Sequence, residues 1–349
     1  MALLWSCTRY PIVWTVETPA PSDSVSSGTI VKSRFQPAWW LADAHAQTLW
    51  PQLFRRPIKI ALRPERLELP DGDFVDLCWT RKNTGPIVAI FHGLEGSINS
   101  SYARGMMAAI EARGWRGVFM HFRGCSGEFN RLDRNYHSGD TGDIAFLIST
   151  LHERFPGTPL SAVAYSLGGN ALLKYLGEYP ELQKLSAAVA VSVPFLLGVG
   201  ADRLDQGFSK IYQRHLIARL RAKMKAKYRD RSLDLPLHRI DSLTTFRLFD
   251  DQITAPLHGF RDVDDYYDRS SSRQFLIHID TPSLIIHSLD DPFLTPAAIP
   301  HEKELAQRVC LELSDGGGHV GFIGGKTPWQ AGYWLDQRIP EFLSDYLDK

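Results

Sequence analysis

Residues 160–176 read Leu160-Ser161-Ala162-Val163-Ala164-Tyr165-Ser166-Leu167-Gly168-Gly169-Asn170-Ala171-Leu172-Leu173-Lys174-Tyr175-Leu176. The first five residues are a short apolar run of strand type, and the segment from Asn170 onward is of helix type. A strand that enters a helix through so tight a turn holds the intervening Ser166 in a strained backbone conformation and points its hydroxyl outward. The residues two before and two after that serine must be small, or their side chains collide across the turn. Ala164 and Gly168 meet the condition. Ala164 stands where the G-x-S-x-G form of this nucleophile elbow has glycine, so the bare pattern is less specific and other segments must agree with it.

Two downstream segments do agree, in the chain order serine, acid, histidine. Ser283-Leu284-Ile285-Ile286-His287-Ser288 is a buried-type strand that runs into Leu289-Asp290-Asp291-Pro292-Phe293, which sets a carboxylate at the C-terminal end of a strand, where active sites gather. Asp291 is the preferred acid, three residues after the small Ser288 and ahead of Thr295-Pro296. Asp290 is expected as a turn residue, with the role of acid left open to it. Val309-Cys310-Leu311-Glu312-Leu313 is a further strand, followed by Ser314-Asp315-Gly316-Gly317-Gly318-His319, a histidine set among glycines. His319 is placed to take the Ser166 proton, and the acid to fix the imidazole tautomer.

Upstream, the apolar strand Ile87-Val88-Ala89-Ile90-Phe91 leads into His92-Gly93-Leu94-Glu95-Gly96-Ser97. Glycine there lets the backbone aim the Leu94 amide at a developing alkoxide, with the Leu167 amide, just after the serine, as second donor. His92 is expected to brace that loop rather than to act as a base.

With these motifs in one order, the chain resembles the YheT-like hydrolases, a branch of the α/β-hydrolases that takes small esters and phospholipid-like molecules. The resemblance covers roughly residues 34 to 345. It includes Phe35-Gln36-Pro37-Ala38-Trp39-Trp40-Leu41, His45-Ala46-Gln47-Thr48-Leu49-Trp50-Pro51, His92-Gly93-Leu94-Glu95-Gly96 and Phe122-Arg123-Gly124-Cys125-Ser126-Gly127. It continues through Tyr136-His137-Ser138-Gly139-Asp140, Tyr165-Ser166-Leu167-Gly168-Gly169-Asn170, Asp290-Asp291-Pro292-Phe293 and Gly317-Gly318-His319-Val320-Gly321-Phe322. It implies a Ser166, Asp291, His319 triad and hydrolysis of carboxylic esters; the substrate itself does not carry over.

The rest of the sequence fits such an enzyme. Its 349 residues carry 39 basic and 39 acidic side chains, so no net charge recommends nucleic acid as a partner. Cys7, Cys78, Cys125 and Cys310 show neither paired spacing nor a zinc pattern, which makes a reducing cytoplasm the simplest compartment. Cys125 is expected to be structural. No cofactor or metal is expected, Asp262 to Asp268 lacking the spacing of a calcium loop.

Residues 1–33, with their Pro/Ser tract, are expected to be a disordered extension without a signal peptide or a membrane span. The aromatic segment Phe35 to Trp50 is expected to pack as an arm over the core. From there to residue 349 strands alternate with helices, beginning with a hairpin turned at Asp71-Gly72, as in a mostly parallel sheet covered on both faces.

The alternation fails across about 195–278, read as a helical cap. Within it Lys210, Arg214, Arg219, Arg221, Lys223, Lys225, Lys227, Arg229 and Arg231 interleave with apolar residues. The preferred reading is a cap helix packed on the core by its apolar face; peripheral contact with anionic lipid is the sharper alternative. Phe195-Leu196-Leu197-Gly198-Val199 is expected to line an acyl pocket, with Leu196 as its probe. Acyl transfer by the same residues, and an idle binding protein of the same fold, are the competing functions; the second usually loses a triad residue, and all three are present here. Acyl length and oligomeric state are not encoded in any motif.

Overall fold

Along the central strands, side chains alternate between two apolar layers. Val88, Ile90, Val163 and Tyr165 join one buried cluster with Met106, Ile110, Ile339 and Leu343. Their neighbours Ala89, Phe91, Ala162 and Ala164 join another with Ile144, Leu147, Leu172 and Leu176. A strand that is apolar on both faces needs cover on both faces, and helices supply it.

The computed structural model describes residues 27–182, 184–229 and 235–348. Nine strands form one sheet: β1 (Thr29–Lys32), β2 (Leu62–Glu68), β3 (Phe74–Thr80), β4 (Ile87–Phe91), β5 (Arg116–Met120), β6 (Leu160–Tyr165), β7 (Ala187–Val191), β8 (Ser283–Ser288) and β9 (Val309–Ser314). Their spatial order is β1-β9-β8-β7-β6-β4-β5-β3-β2. Among the described residues of this sheet, only β2–β3 and β3–β5 pair antiparallel. The helices are α1 (Ala44–Phe54), α2 (Ser101–Ala112), α3 (Gly142–Arg154), α4 (Leu167–Glu178), α5 (Leu197–Leu204), α6 (Lys210–Lys227), α7 (Val263–Ser270) and α8 (Leu335–Leu347), with shorter turns between them. Buried residues of α2 and α8 cover one face of the sheet, and those of α3 and α4 the other.

One expected boundary is corrected. The expected extension to residue 33 includes β1, which pairs in parallel with β9 from Thr29 opposite Cys310 to Lys32 opposite Leu313. Gly28 N donates to Leu305 O at 2.9 Å and Ser33 N to Leu313 O at 2.7 Å, closing both ends of the strand. Backbone pairing to the edge of β9 carries this segment, and all four of its residues are exposed. No apolar alternation therefore marks it. Residues 1–26, the rest of the expected extension, and Arg231 lie outside the described residues.

Residues 195–278 stand between β7 and β8 and have an apolar core of their own, with Tyr212, Ile217, Met224, Phe249, Ile253 and Tyr267 buried in it. Several of the basic side chains expected on the surface of α6 turn inward. Lys227 Nζ donates to Asn130 Oδ1 and Asn135 Oδ1, each at 2.8 Å, and Lys223 Nζ to Glu95 Oε1 at 2.8 Å. Among the described residues, no helix is long and apolar enough to cross a membrane.

Candidate active site

The parallel strands end on one edge, and four of those ends converge. Ser166 follows β6, Asp291 follows β8 by three residues, His319 follows β9, and His92 to Glu95 follow β4. Ser166 is the N-cap of α4 at φ 52° and ψ −120°, a conformation that L-residues adopt only under constraint. Its amide donates to Val191 O at 2.8 Å, tying the elbow to the neighbouring strand β7. Gly93 faces it closely. A Cβ on Gly93 would lie 3.1 Å from Ser166 Cβ, so a side chain there would press on that serine.

The Ser166 hydroxyl lies 2.9 Å from His319 Nε2, and His319 Nδ1 lies 2.8 Å from Asp291 Oδ2. The carboxylate can only accept from Nδ1–H, which leaves Nε2 free to accept the serine proton. The other Asp291 oxygen accepts from Phe293 N at 2.8 Å, and the Phe293 ring stacks on the imidazole at 3.9 Å between centroids. Asp290 points elsewhere: it accepts from Gly318 N at 2.9 Å and from the Ser288 hydroxyl. Asp291 is thus the carboxylate in contact with His319, while Asp290 fastens the histidine loop.

That loop is braced by elements whose part the sequence did not announce. Thr48 Oγ1, on α1, accepts from His319 N at 2.9 Å, and Ser192 Oγ, after β7, accepts from Val320 N at 3.0 Å. Gly318, at φ +60°, packs so closely under α1 that a Cβ would lie 2.4 Å from Ala44 O. The motif His45 to Pro51 was the available signal for Thr48. It reads as an arm over the core, and its hydroxyl is in fact a support of the site.

On the opposite wall, Leu94 lines the same pocket as Ser166 and Leu167. Among the described residues, the Leu94 and Leu167 amides donate to no protein acceptor. His92 is fully buried, and burial pushes its imidazole down to about 3, so it stays neutral. Its Nε2 accepts from Phe122 N at 3.0 Å and its Nδ1 lies 2.6 Å from Gly93 O, which ties the start of the loop to the chain after β5.

The pocket above Ser166 is apolar, with Pro194, Leu197, Ala201, Leu204, Leu216 and Phe293 among its walls. The expectation for Phe195 to Val199 is therefore corrected: of those five residues Leu197 is the one that lines the pocket, joined by Pro194, Gly200 and Ala201 on either side. Leu196 does not line it, and Phe195 is buried in the sheet's core. A second cavity, beneath α6, shares Leu94, Ser138, Leu167, Phe246 and Asp250 with the first as a common wall.

Asp250 is the anomaly in that wall. It accepts from Thr254 Oγ1 at 2.7 Å and Tyr267 Oη at 2.8 Å, yet burial pushes its carboxyl from 3.8 up to about 6. Between those two values the folded state holds a proton that the unfolded state has released. Stability contributed by this group is therefore lost as pH rises through the window, by about 2–3 kcal/mol in all. Asp250→Asn, which does not titrate, is expected to gain that much on wild type between pH 4 and pH 7.5 in urea unfolding. A stability difference that stays constant across the window would contradict the assignment.

Among the described residues, no group of three or more His, Cys, Asp or Glu side chains has metal-holding geometry. The acidic run on α7 has other work: Asp262 caps the helix by accepting from Asp265 N at 2.8 Å, and Asp264 pairs with Arg247 at 2.9 Å. Cys78, Cys125 and Cys310 are free thiols.

Comparison with known proteins gives the same architecture. The family model described as alpha/beta hydrolase fold matches residues 86–326. The chain is 44% identical to the Escherichia coli (strain K12) protein named "Putative esterase YheT", over 90% of this chain and 94% of that one. It is 28% identical to the Mus musculus phospholipase ABHD3, over 91% of this chain and 80% of that one. Among solved structures, the Pyrococcus furiosus esterase Pf2001 superposes with a TM-score of 0.56 at 15% identity, covering 94% of this chain and 99% of that one, a likeness of fold.

Proposed function

Since the chain belongs to the alpha/beta hydrolase fold family, in the branch of the Escherichia coli esterase-like protein YheT, we propose that it is a serine hydrolase that cleaves carboxylic esters through an acyl-enzyme. The observation that carries this is the unbroken hydrogen-bonded chain from Ser166 through His319 to Asp291, opening into an apolar pocket. The esterase and phospholipase names of its relatives support the same chemistry.

In this mechanism Ser166 Oγ attacks the ester carbonyl while His319 Nε2 takes its proton. Asp291 holds Nδ1–H and stabilises the imidazolium that forms. The carbonyl oxygen becomes an alkoxide facing the Leu94 and Leu167 amides, where each donor contributes about 2.7–4 kcal/mol to the transition state. His319 then gives the proton to the leaving alcohol, and a water activated by the same nitrogen releases the acid.

The test is turnover of a p-nitrophenyl ester series from acetate to long acyl chains, with fluorophosphonate labelling of the same protein. Absence of both turnover and labelling would remove the proposal. The pocket's small residues make a narrower prediction. Ala201→Phe fills the space between α5 and Ser166, and is expected to cut kcat/KM for octanoate at least about tenfold more than for acetate, since each methylene excluded from an apolar pocket costs about 1–3 kcal/mol. Equal losses across the series would show that acyl chains do not lie along α5.

A further inference from the structure

Glu95 sits in a conformation that its own residue type resists. Gly96 N donates to Gly93 O at 2.9 Å, closing a four-residue turn with Leu94 and Glu95 at its centre. Glu95 has φ 52°, and Leu94 is not among the residues with positive φ. That pair of φ signs, with the closing hydrogen bond, fits a type II turn, whose third position favours glycine or asparagine. Left to itself, a glutamate there would draw the turn toward the type I form by rotating the Leu94–Glu95 peptide.

Three side chains hold the turn as it stands, and two of them belong to the cap. Tyr136 Oη accepts from Glu95 N at 2.7 Å and donates to Glu95 Oε1 at 3.0 Å, gripping the peptide that would have to turn. Lys223 Nζ donates to the same Oε1 at 2.8 Å, with both side chains about nine-tenths buried. Arg219, one turn earlier on α6, donates from Nη2 to Glu95 O at 2.7 Å. Cys125 Sγ, 3.1 Å from Lys223 Nζ, completes the ammonium's surroundings. A buried ion pair is weak evidence of net stability, because desolvation offsets most of its attraction. What this pair does is hold the Glu95 side chain, and through it the residue that follows Leu94 in the turn.

We infer that Glu95, Lys223 and Arg219 are positioning residues through which the cap helix α6 holds the turn that presents the Leu94 amide to the oxyanion. The inference rests on the ester-hydrolysis mechanism proposed above. It gives the cap a part in the chemistry besides lining the two cavities: the helix that carries Leu216 and Leu220 as walls also steadies the turn that bears one of the two oxyanion donors. The glutamate side chain is then the handle for Lys223. A glycine at position 95 would accept the turn unaided and leave α6 only the Arg219 contact to the backbone carbonyl there.

The test is a cycle of Lys223→Met, Lys223→Arg, Glu95→Gly and the double variant Glu95→Gly/Lys223→Met. It is read as kcat and KM on a p-nitrophenyl ester, and as amide hydrogen exchange over residues 92–97. Lys223→Met is expected to lower kcat about 10- to 100-fold, less than the loss of a whole oxyanion donor, with KM within about twofold and faster exchange in the segment. Lys223→Arg should recover most of that kcat. In the Glu95→Gly background the same lysine substitution should cost nothing further, since the strained residue it restrains is gone. An unchanged kcat in Lys223→Met, or an equal loss in both backgrounds, would overturn the inference while leaving ester hydrolysis intact. A wild type that hydrolyses no ester would instead overturn the mechanism, and the positioning role with it, even where exchange still reports that Lys223 restrains the turn.

Discussion

Ser166→Ala is expected to lower ester turnover by about a millionfold in kcat and to abolish fluorophosphonate labelling, with the protein still folded. The size follows from the way the three residues act as a unit: without the hydroxyl, His319 has no proton to accept and no acyl-enzyme forms. Any residual rate belongs to the oxyanion donors and the pocket, which by themselves give about 10³–10⁴ over water. Little stability should go with it. The Ser166 side chain makes no capping hydrogen bond to α4, while its amide contact to Val191 O belongs to the backbone and survives the substitution. An alanine variant with native circular dichroism and unaltered turnover would mean that hydrolysis, where observed, arises elsewhere in the chain.

The parts of this site that are legible in the sequence are those fixed by short-range geometry. The elbow is legible because a tight strand-to-helix turn restricts residue size at 164 and 168. Asp291 and His319 are legible because a parallel sheet delivers functional loops at strand ends, in an order that the chain must follow. Where a choice depends on the direction of one side chain, sequence falls short. Asp290 and Asp291 are adjacent and alike, and only the fold turns one toward His319 and the other toward Gly318 N. Leu196 and Leu197 differ likewise by a single step at the start of α5, and that step moves a side chain off the pocket.

Other features are invisible for a different reason. β1 is held by backbone bonds along the edge of β9, so its side chains carry no apolar alternation. Glu95 and Lys223 lie 128 positions apart, on a loop and a helix that meet only after the cap has folded over the sheet. Read alone, the lysine is one more cation in a basic helix. The inward turn of Lys223 and Lys227 also shows why charge counted along a helix overstates the charge that a surface partner would meet.

Asp291→Asn is expected to lower kcat about 10⁴-fold with KM little changed, whereas Asp290→Asn should keep kcat within about tenfold of wild type. The first effect comes from a proton in the wrong place. Asp291 accepts from Phe293 N at one oxygen and from His319 Nδ1 at the other. In the asparagine variant the backbone N–H claims the amide oxygen, because the alternative flip would set two donors against each other. The amide NH₂ therefore faces Nδ1, which must become an acceptor. Nε2 then carries the hydrogen and cannot take a proton from Ser166. At position 290 the asparagine oxygen can still accept from Gly318 N, so the histidine loop keeps its fastening and the tautomer is untouched. Comparable losses in the two variants would mean that the loop, and not the tautomer, limits the reaction; a larger loss at 290 would reassign the acid.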